Sequence, residues 1–468
     1  MRLVHLLSLE TALVLRDRGA LLTACVLSII LIASFLSGLR ADQTEKRALQ
    51  TAAQKVQAEW DAQPPKNPHT ASHYGILVYR PAAPLQAIEP GVLPYQGAVT
   101  FLEAHKRQAP ILSPASVHAA DSRYGGTRFS AMLQIAGGFL SLVLGFLIGS
   151  REARRAISPL LQGTGVQGLP LVTAKAFVTG MLVLAAALPS LLLAAFQMET
   201  ADALARYALL SGASLVHLFI LAGLGVATGQ WFGSARFGLT AVAFAWGMSV
   251  LIIPRMADVV AEQLFPLTQR AVNKTIAADI AKGPDGHGET EANALFEQQI
   301  LEDYGVERRE DLPVNFDAML MQADEEYRGG VYDVRLAQAE VVRERQDTVR
   351  RAAWFFGPTP AMLDLSVRIA GADANTQRRF DDSAEAFRRD LVGRLNRHMA
   401  ENSRSGDWEW TPQDGYYASF SAFQPPAPRL RDELRALVPG AATLVFWLVF
   451  ALTALVLSGR RFNARLAS

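Results

Sequence analysis

Imidazole, carboxylate and thiol groups are the side chains best able to hold a metal or move a proton, and this chain of 468 residues carries only eight histidines and one cysteine. His69 and His73 are four residues apart, a spacing that sets two imidazoles on one face of a helix as neighbouring ligands. Pro68 and Gly75 flank the pair and argue against a helix there. Asp285, His287, Glu289 and Glu291 gather a second set of donors, but they surround Gly-Pro-Asp-Gly-His-Gly, which reads as a mobile loop. Ligand type without fixed geometry does not designate a metal site, so neither set is assigned a metal.

Other motifs point away from catalysis. Gly163-Thr-Gly-Val-Gln-Gly168 matches the dinucleotide pattern G-x-G-x-x-G, but it follows an apolar span rather than a strand of a βαβ unit, so flexible glycine in a link between helices is the better account. There is no G-x-x-x-x-G-K-[ST], no G-x-S-x-G and no H-E-x-x-H. The chain is therefore expected not to be an enzyme, and ATP hydrolysis, if it serves this protein, belongs to another polypeptide. His217 stands deep in an apolar stretch, where an ionisable group is a functional candidate by default. Its neutral ring can bond Ser214 about one turn away, so a satisfied packing histidine is the plainer reading beside that of a polar conduit. Gly223 and Gly225 in that stretch, and Gly137, Gly138 and Gly145 in an earlier one, suit close helix packing.

The elements that must position these residues follow from hydropathy. Apolar stretches run over 20–39, 130–150, 172–196, 207–230, 237–253 and 437–458, and each of about 17 to 25 residues is long enough to cross a bilayer as a helix. Half of the chain is hydrophobic and its formal net charge is only +1, so no global attraction to nucleic acid is implied. Cys25 falls within the first stretch, which leaves the polar parts without a disulfide framework.

Arg2, Arg16, Arg18, Arg151, Arg154, Arg155, Arg236, Arg460, Arg461 and Arg465 cluster in the short connections of one side. The positive-inside rule then predicts cytoplasmic termini and two large external segments, and the chain is expected in the bacterial cytoplasmic (inner) membrane. A cleavable signal peptide fits less well, because Gly38-Leu39-Arg40-Ala41 lacks the small residue expected three positions before a cut.

The expected fold is a membrane all-α core of six transmembrane helices with two external domains, the first small α/β and the second mainly α-helical. By residue, 1–19 is an interfacial helix, 20–39 the first span, 40–128 the first external domain, and 129–253 spans two to five with a cytoplasmic loop at 151–171. The second external domain takes 254–436, the last span 437–458 and a cytoplasmic tail 459–468. Residues 41–60 read as a helical continuation of the first span, ended by Pro64 and Pro65, and 74–81 as a short strand. The second external domain is acidic by about ten charges. Its clearest helix follows Asp373, with an apolar stripe of Phe380, Ala384, Phe387, Leu391 and Leu395 and with Arg378, Arg388 and Arg389 on an outer, solvated face.

The run Arg151-Glu-Ala-Arg-Arg-Ala-Ile-Ser-Pro-Leu-Leu161 is charged at its start and apolar further on, in a link that ends near Lys175. Such a segment either lies along the membrane surface facing a cytoplasmic partner or simply retains positive charge inside. It resembles the coupling segment of ABC-2 type transporter permeases, where a charged run after the second helix leads through a proline to a lysine on the third. Glu10, Arg16, Asp17 and Arg18 likewise resemble that family's N-terminal interfacial helix. The stretch from Pro358 through Asp373 to Phe387-Arg-Arg-Asp-Leu391 is similar to a subfamily of these permeases with large external insertions.

The resemblance implies a dimer with a second permease copy or a paralogue, embedded in the lipid bilayer, with each subunit seated on a cytoplasmic ABC ATPase that holds the ATP and Mg. No cofactor is expected on this chain. ATPase contacts are implied at Arg151, Glu152, Arg154, Arg155, Pro159 and Lys175, then at Glu10, Arg16, Asp17 and Arg18. Export or extrusion of a substrate is the implied activity. The alternatives are a mechanotransmission subunit that moves its external domains against a periplasmic partner, and a membrane scaffold or receptor without an ATPase.

Overall fold

The computed structural model describes residues 3–111, 128–154, 158–232, 235–427 and 429–464. Helix α1 (Leu3–Leu15) stops two residues before Asp17, whose carboxylate accepts the amides of Gly19 and Ala20 at 3.1 Å and so caps α2 (Arg18–Asp61). At 1.5 Å per residue, the 44 residues of α2 extend about 66 Å, roughly twice a bilayer's hydrocarbon thickness. The predicted continuation of the first span is thus one unbroken helix that carries Trp60 far from Leu27.

Next come α3 (Pro68–Tyr74), strands β1 (Ile76–Tyr79) and β2 (Val99–Leu102), and α4 (Phe129–Gly149), which holds a π-turn at Leu133–Gly137. The strands pair antiparallel, with Ile76 opposite Leu102 and Tyr79 opposite Val99. Helices α5 (Gly168–Ala195), α6 (Ala201–Trp231), α7 (Ala235–Gly247) and α8 (Ile253–Leu264) follow, with a second π-turn at Met248–Ile252 between the last two. The second polar segment holds α9 (Gln269–Ile280), α10 (Glu291–Tyr304), α11 (Phe316–Ala352), α12 (Pro358–Ile369) and α13 (Ala374–Asn402), before α14 (Leu430–Ala464) closes the described chain.

Six of these helical stretches are long and apolar enough to cross a membrane, matching the six predicted. Helix α6 is the hub, packed on α4, α5, α12 and α14. It meets α4 through two facing glycine pairs, Gly145 and Gly149 against Gly225 and Gly229. A Cβ on Gly225 would stand 2.2 Å from the Leu142 carbonyl oxygen, and one on Gly149 would stand 2.5 Å from that of Val226. Only glycine lets two backbones approach so closely.

Two boundaries differ from the sequence reading. The polar segments read as separate domains share one apolar core: Trp60, Ala71, Ile76, Val78 and Leu102 of the first interlock with Phe380, Ala384, Leu391, Leu395, Tyr417 and Phe420 of the second. Helix α12, placed in the second external domain by its position, packs against the membrane helices instead. Met362, Leu365 and Ile369 join Leu31, Val183, Leu218 and Leu444 in the largest core. Helix α13 has the predicted stripe and is capped by Asp373, which accepts from the Thr376 amide. Arg388, however, is not solvated: it is 2% exposed and fully engaged with Glu325 and Glu385. A long guanidinium at the edge of a stripe can turn inward where a carboxylate from another element, here Glu325 of α11, joins one on its own helix, and nothing local to α13 reveals Glu325.

Candidate functional site

Of the residues expected at an ATPase contact, Glu10, Arg151, Glu152 and Lys175 meet at one end of the bundle, where α1, the start of the 151–171 link and the first turns of α5 come together. Leu6 packs with Val166, Leu171, Ala174 and Phe462, while Val14 packs with Ile148 and Val178. This brings Glu10 over the link. Arg151 Nη1 lies 3.0 Å from Glu10 Oε2, and Lys175 Nζ lies 3.3 Å from Glu10 Oε1 and 2.8 Å from Glu152 Oε1. Lys175 also donates to the Ile148 carbonyl at 2.9 Å.

All four charged groups are buried, and Lys175 is fully so. Two acids and two bases neutralise one another there, which a dry environment requires of buried charge. These side chains therefore face each other rather than solvent, and act as a clamp holding α1 on the link. Arg16, Asp17 and Arg18 are exposed, with Asp17 occupied as the α2 cap. Arg154 and Pro159 lie in short helical turns, Arg151–Arg154 and Ser158–Gly163, while Arg155 lies outside the described residues.

The glycine motif that ends this link does packing work. The Gly168 amide donates to Asn463 Oδ1 at 2.8 Å, and a Cβ on Gly168 would stand 2.1 Å from the Gly459 carbonyl oxygen. Among the described residues, the helical turn Ser158–Gly163 leads directly into the motif.

His217 is wholly buried in α6, but its partner is not Ser214. Its Nε2 lies 3.0 Å from Thr359 Oγ1, on the first turn of α12, and Gly138 of α4 makes room for the ring. The correction is tertiary in origin, because a helix more than a hundred residues downstream reaches the ring from the side. Sequence reasoning also missed Arg206, whose buried guanidinium joins Asp202 at 2.7 Å, Glu433 at 2.7 Å and the Ile369 carbonyl at 2.9 Å. The four-residue spacing of Asp202 and Arg206 was the only local signal for it.

In the polar lobe, His69 and His73 do lie on a helix, α3. Pro68 is its first residue and Gly75 its C-cap at φ 63°, so the two residues read as breakers are its start and stop signals. The loop before α10 is likewise held rather than mobile. Asn293 accepts from the Asp285 amide at 2.8 Å and donates to the Asp285 and Gly288 carbonyls at 2.9 and 2.7 Å. His287 is thereby brought to His69 and His73, together with His105, which the sequence had not singled out. Asp285 ion-pairs with Arg328 at 3.7 Å instead of joining that group.

A broad cleft between α9, α11 and α13 is lined by Arg107, Tyr332, Arg378, Asp381, Asp382 and Arg389. Burial raises the Asp381 carboxyl to about 6, helped by Asp382, against the pull of a Gln377 hydrogen bond and of Arg107 and Arg80. A folded value above the ordinary 3.8 means that this group's stabilising contribution is full below pH 4 and is lost as pH rises through 6. Asp381→Asn is therefore expected to raise stability by about 2 kcal/mol at pH 7.5 and by little at pH 4. Thermal unfolding in detergent at both pH values measures this, and equal gains at the two would contradict it.

Residues 269–418 match the family described as a domain of unknown function, DUF3526. The match takes in α9 to α13, and with them His287, Thr359, Asp381 and Arg388. No curated protein and no solved structure matches the chain.

Proposed function

We propose that this chain is the permease subunit of an ATP-driven ABC-2 type transporter, exporting a substrate and working as a dimer on separate cytoplasmic ATPases. The single observation that carries this reading is the buried clamp of Glu10, Arg151, Glu152 and Lys175. It ties α1 to the start of the link at Arg151 and Glu152 and to Lys175 of α5, so a push on α1 is passed to the ends of α4 and α5. The clamped groups then position the contact, and the exposed Arg16 and Arg18 offer the charge that an ATPase would meet.

Both termini are cytoplasmic in this reading, and the joint polar lobe is external. Arg16→Glu combined with Arg18→Glu is expected to lower co-purification of the neighbouring ATPase at least tenfold while leaving the melting temperature unchanged. Full retention of ATPase and of ATP-dependent activity in that variant would defeat the reading.

One observation favours a second reading, mechanotransmission. Helix α2 runs unbroken from the membrane region into the lobe, where Trp60 Nε1 donates to the Tyr417 carbonyl at 3.1 Å. A stiff rod of this length would carry ATPase motion outward without cargo crossing the bilayer. Cysteine pairs that lock the lobe to its neighbour would then abolish function while leaving ATP hydrolysis running.

A further inference from the structure

We propose that His69, His73, His105 and His287 form a binding site for one divalent cation of the zinc type, and that the bound ion ties the first polar segment to the second. The ligands come from three separate places: α3 supplies His69 and His73, the turn after β2 supplies His105, and the loop before α10 supplies His287. One ring nitrogen from each lies within 4.8 Å of the other three. Two separations are already at ligand spacing, His69 Nε2 to His73 Nε2 at 3.1 Å and His105 Nε2 to His287 Nε2 at 3.2 Å. Nitrogens bound at tetrahedral zinc stand about 3.3 Å apart, so closing on an ion requires only that the longer edges contract.

Three of the four ligands sit on backbone that is held in place. Asn67 caps α3, accepting from the His69 amide at 2.9 Å. Among the described residues His105 is the only non-glycine with positive φ, at 64°. Such a backbone persists only where its surroundings impose it. Here the His105 amide donates to Glu325, and its ring Nδ1 bonds Asp324 Oδ2 at 2.8 Å, which leaves Nε2 toward the cluster. A carboxylate behind an imidazole is the usual outer shell of a metal-bound histidine. Asn293 holds the loop that presents His287.

Two hydrogen-bonded imidazole pairs would account for the two short separations. They would not account for all four rings converging, nor for the left-handed backbone that sends His105 there. Burial, followed by the neighbouring rings, holds His69 down to about 3, and burial likewise keeps His73 and His287 below their ordinary range. These three rings are thus held toward the neutral form in which an imidazole binds a metal. Four imidazoles without a thiolate suit zinc, and four protein ligands close a tetrahedral site of the structural kind. His73 and His287 are exposed whereas His69 and His105 are buried, so an ion has a path in from one side. Every ligand lies outside the membrane helices, and the site stands whether or not the chain is a permease.

The test uses the full chain in detergent, purified through a tag without histidine, stripped with chelator and titrated with Zn2+ by calorimetry and elemental analysis. One zinc per chain is expected, and Co2+ in its place should give the intense visible bands of tetrahedral cobalt. His73→Ala and His287→Ala, both at exposed positions, should each weaken zinc binding at least a hundredfold, and His398→Ala should leave it unchanged. Zinc should also slow amide exchange at both 69–75 and 284–289. Less than half a zinc per chain, octahedral cobalt spectra, or undiminished binding in the His73→Ala/His287→Ala double variant would overturn the site. Binding that slows exchange in only one of the two stretches would overturn the tie between segments.

Discussion

Lys175→Met is expected to lower stability by roughly 3–5 kcal/mol, because it leaves two buried carboxylates with a single compensating cation. Lys175 is the centre of the clamp: it alone touches Glu10 on α1, Glu152 in the link and the Ile148 carbonyl at the end of α4. Removing its ammonium group strands Glu152 and leaves Glu10 to Arg151. A methionine of similar length fills the space, so the loss measures charge rather than a cavity. Thermal unfolding in detergent reads the stability, and protease cutting within residues 3–15 reads the release of α1. The Lys175→Met/Glu152→Gln double variant should recover at least 1 kcal/mol of the loss, since it removes the orphaned charge as well. An unchanged melting temperature in the single variant would show that the cluster does not hold the helices together.

The second large effect is expected at Arg388. Its guanidinium bonds Glu325 at 2.7 Å and Glu385 at 2.8 Å and donates to the Glu103 carbonyl at 3.2 Å, joining α11, α13 and the turn after β2. Arg388→Met leaves two nearly buried carboxylates facing each other, at a cost of about 3–5 kcal/mol. Arg389 remains on Glu385 at 2.7 Å, so the strain concentrates on Glu325. That carboxylate also receives the His105 amide, and its displacement frees the turn that carries His105. Chemical unfolding followed by tryptophan fluorescence measures the loss, and Arg388→Met/Glu325→Gln should regain part of it. If the single variant unfolds at the wild-type midpoint, the network contributes nothing to the lobe.

The six spans were legible because lipid tolerates only satisfied backbone, and an apolar run of sufficient length has no other structure to adopt there. The continuation of α2 to Asp61 was legible for a related reason: residues 41–60 contain no helix breaker, and the first prolines come just after. The stripe on α13 followed from periodicity alone. Pro68 and Gly75 were misread because their meaning depends on position. The same residues that break a long helix start and stop a seven-residue one.

What failed to show was everything that depends on two distant stretches meeting. Arg388 looked like a surface residue because its carboxylate partner Glu325 lies 63 positions away. His217 was given Ser214 for want of any local sign of Thr359, 142 positions downstream. His105 carries no motif at all, and only its turn geometry marks it.

By itself, then, the sequence determined six helices long and apolar enough to cross a membrane, with two long polar interruptions, because length and hydropathy act locally and need no partner. The tertiary structure alone decided that those interruptions share one apolar core, that four of the charged groups chosen as surface contacts, Glu10, Arg151, Glu152 and Lys175, are locked into a buried clamp, and that four scattered histidines converge. The physical reason is common to all three: burial and pairing are properties of what the chain brings together, and a side chain's type says only what it could do once brought there.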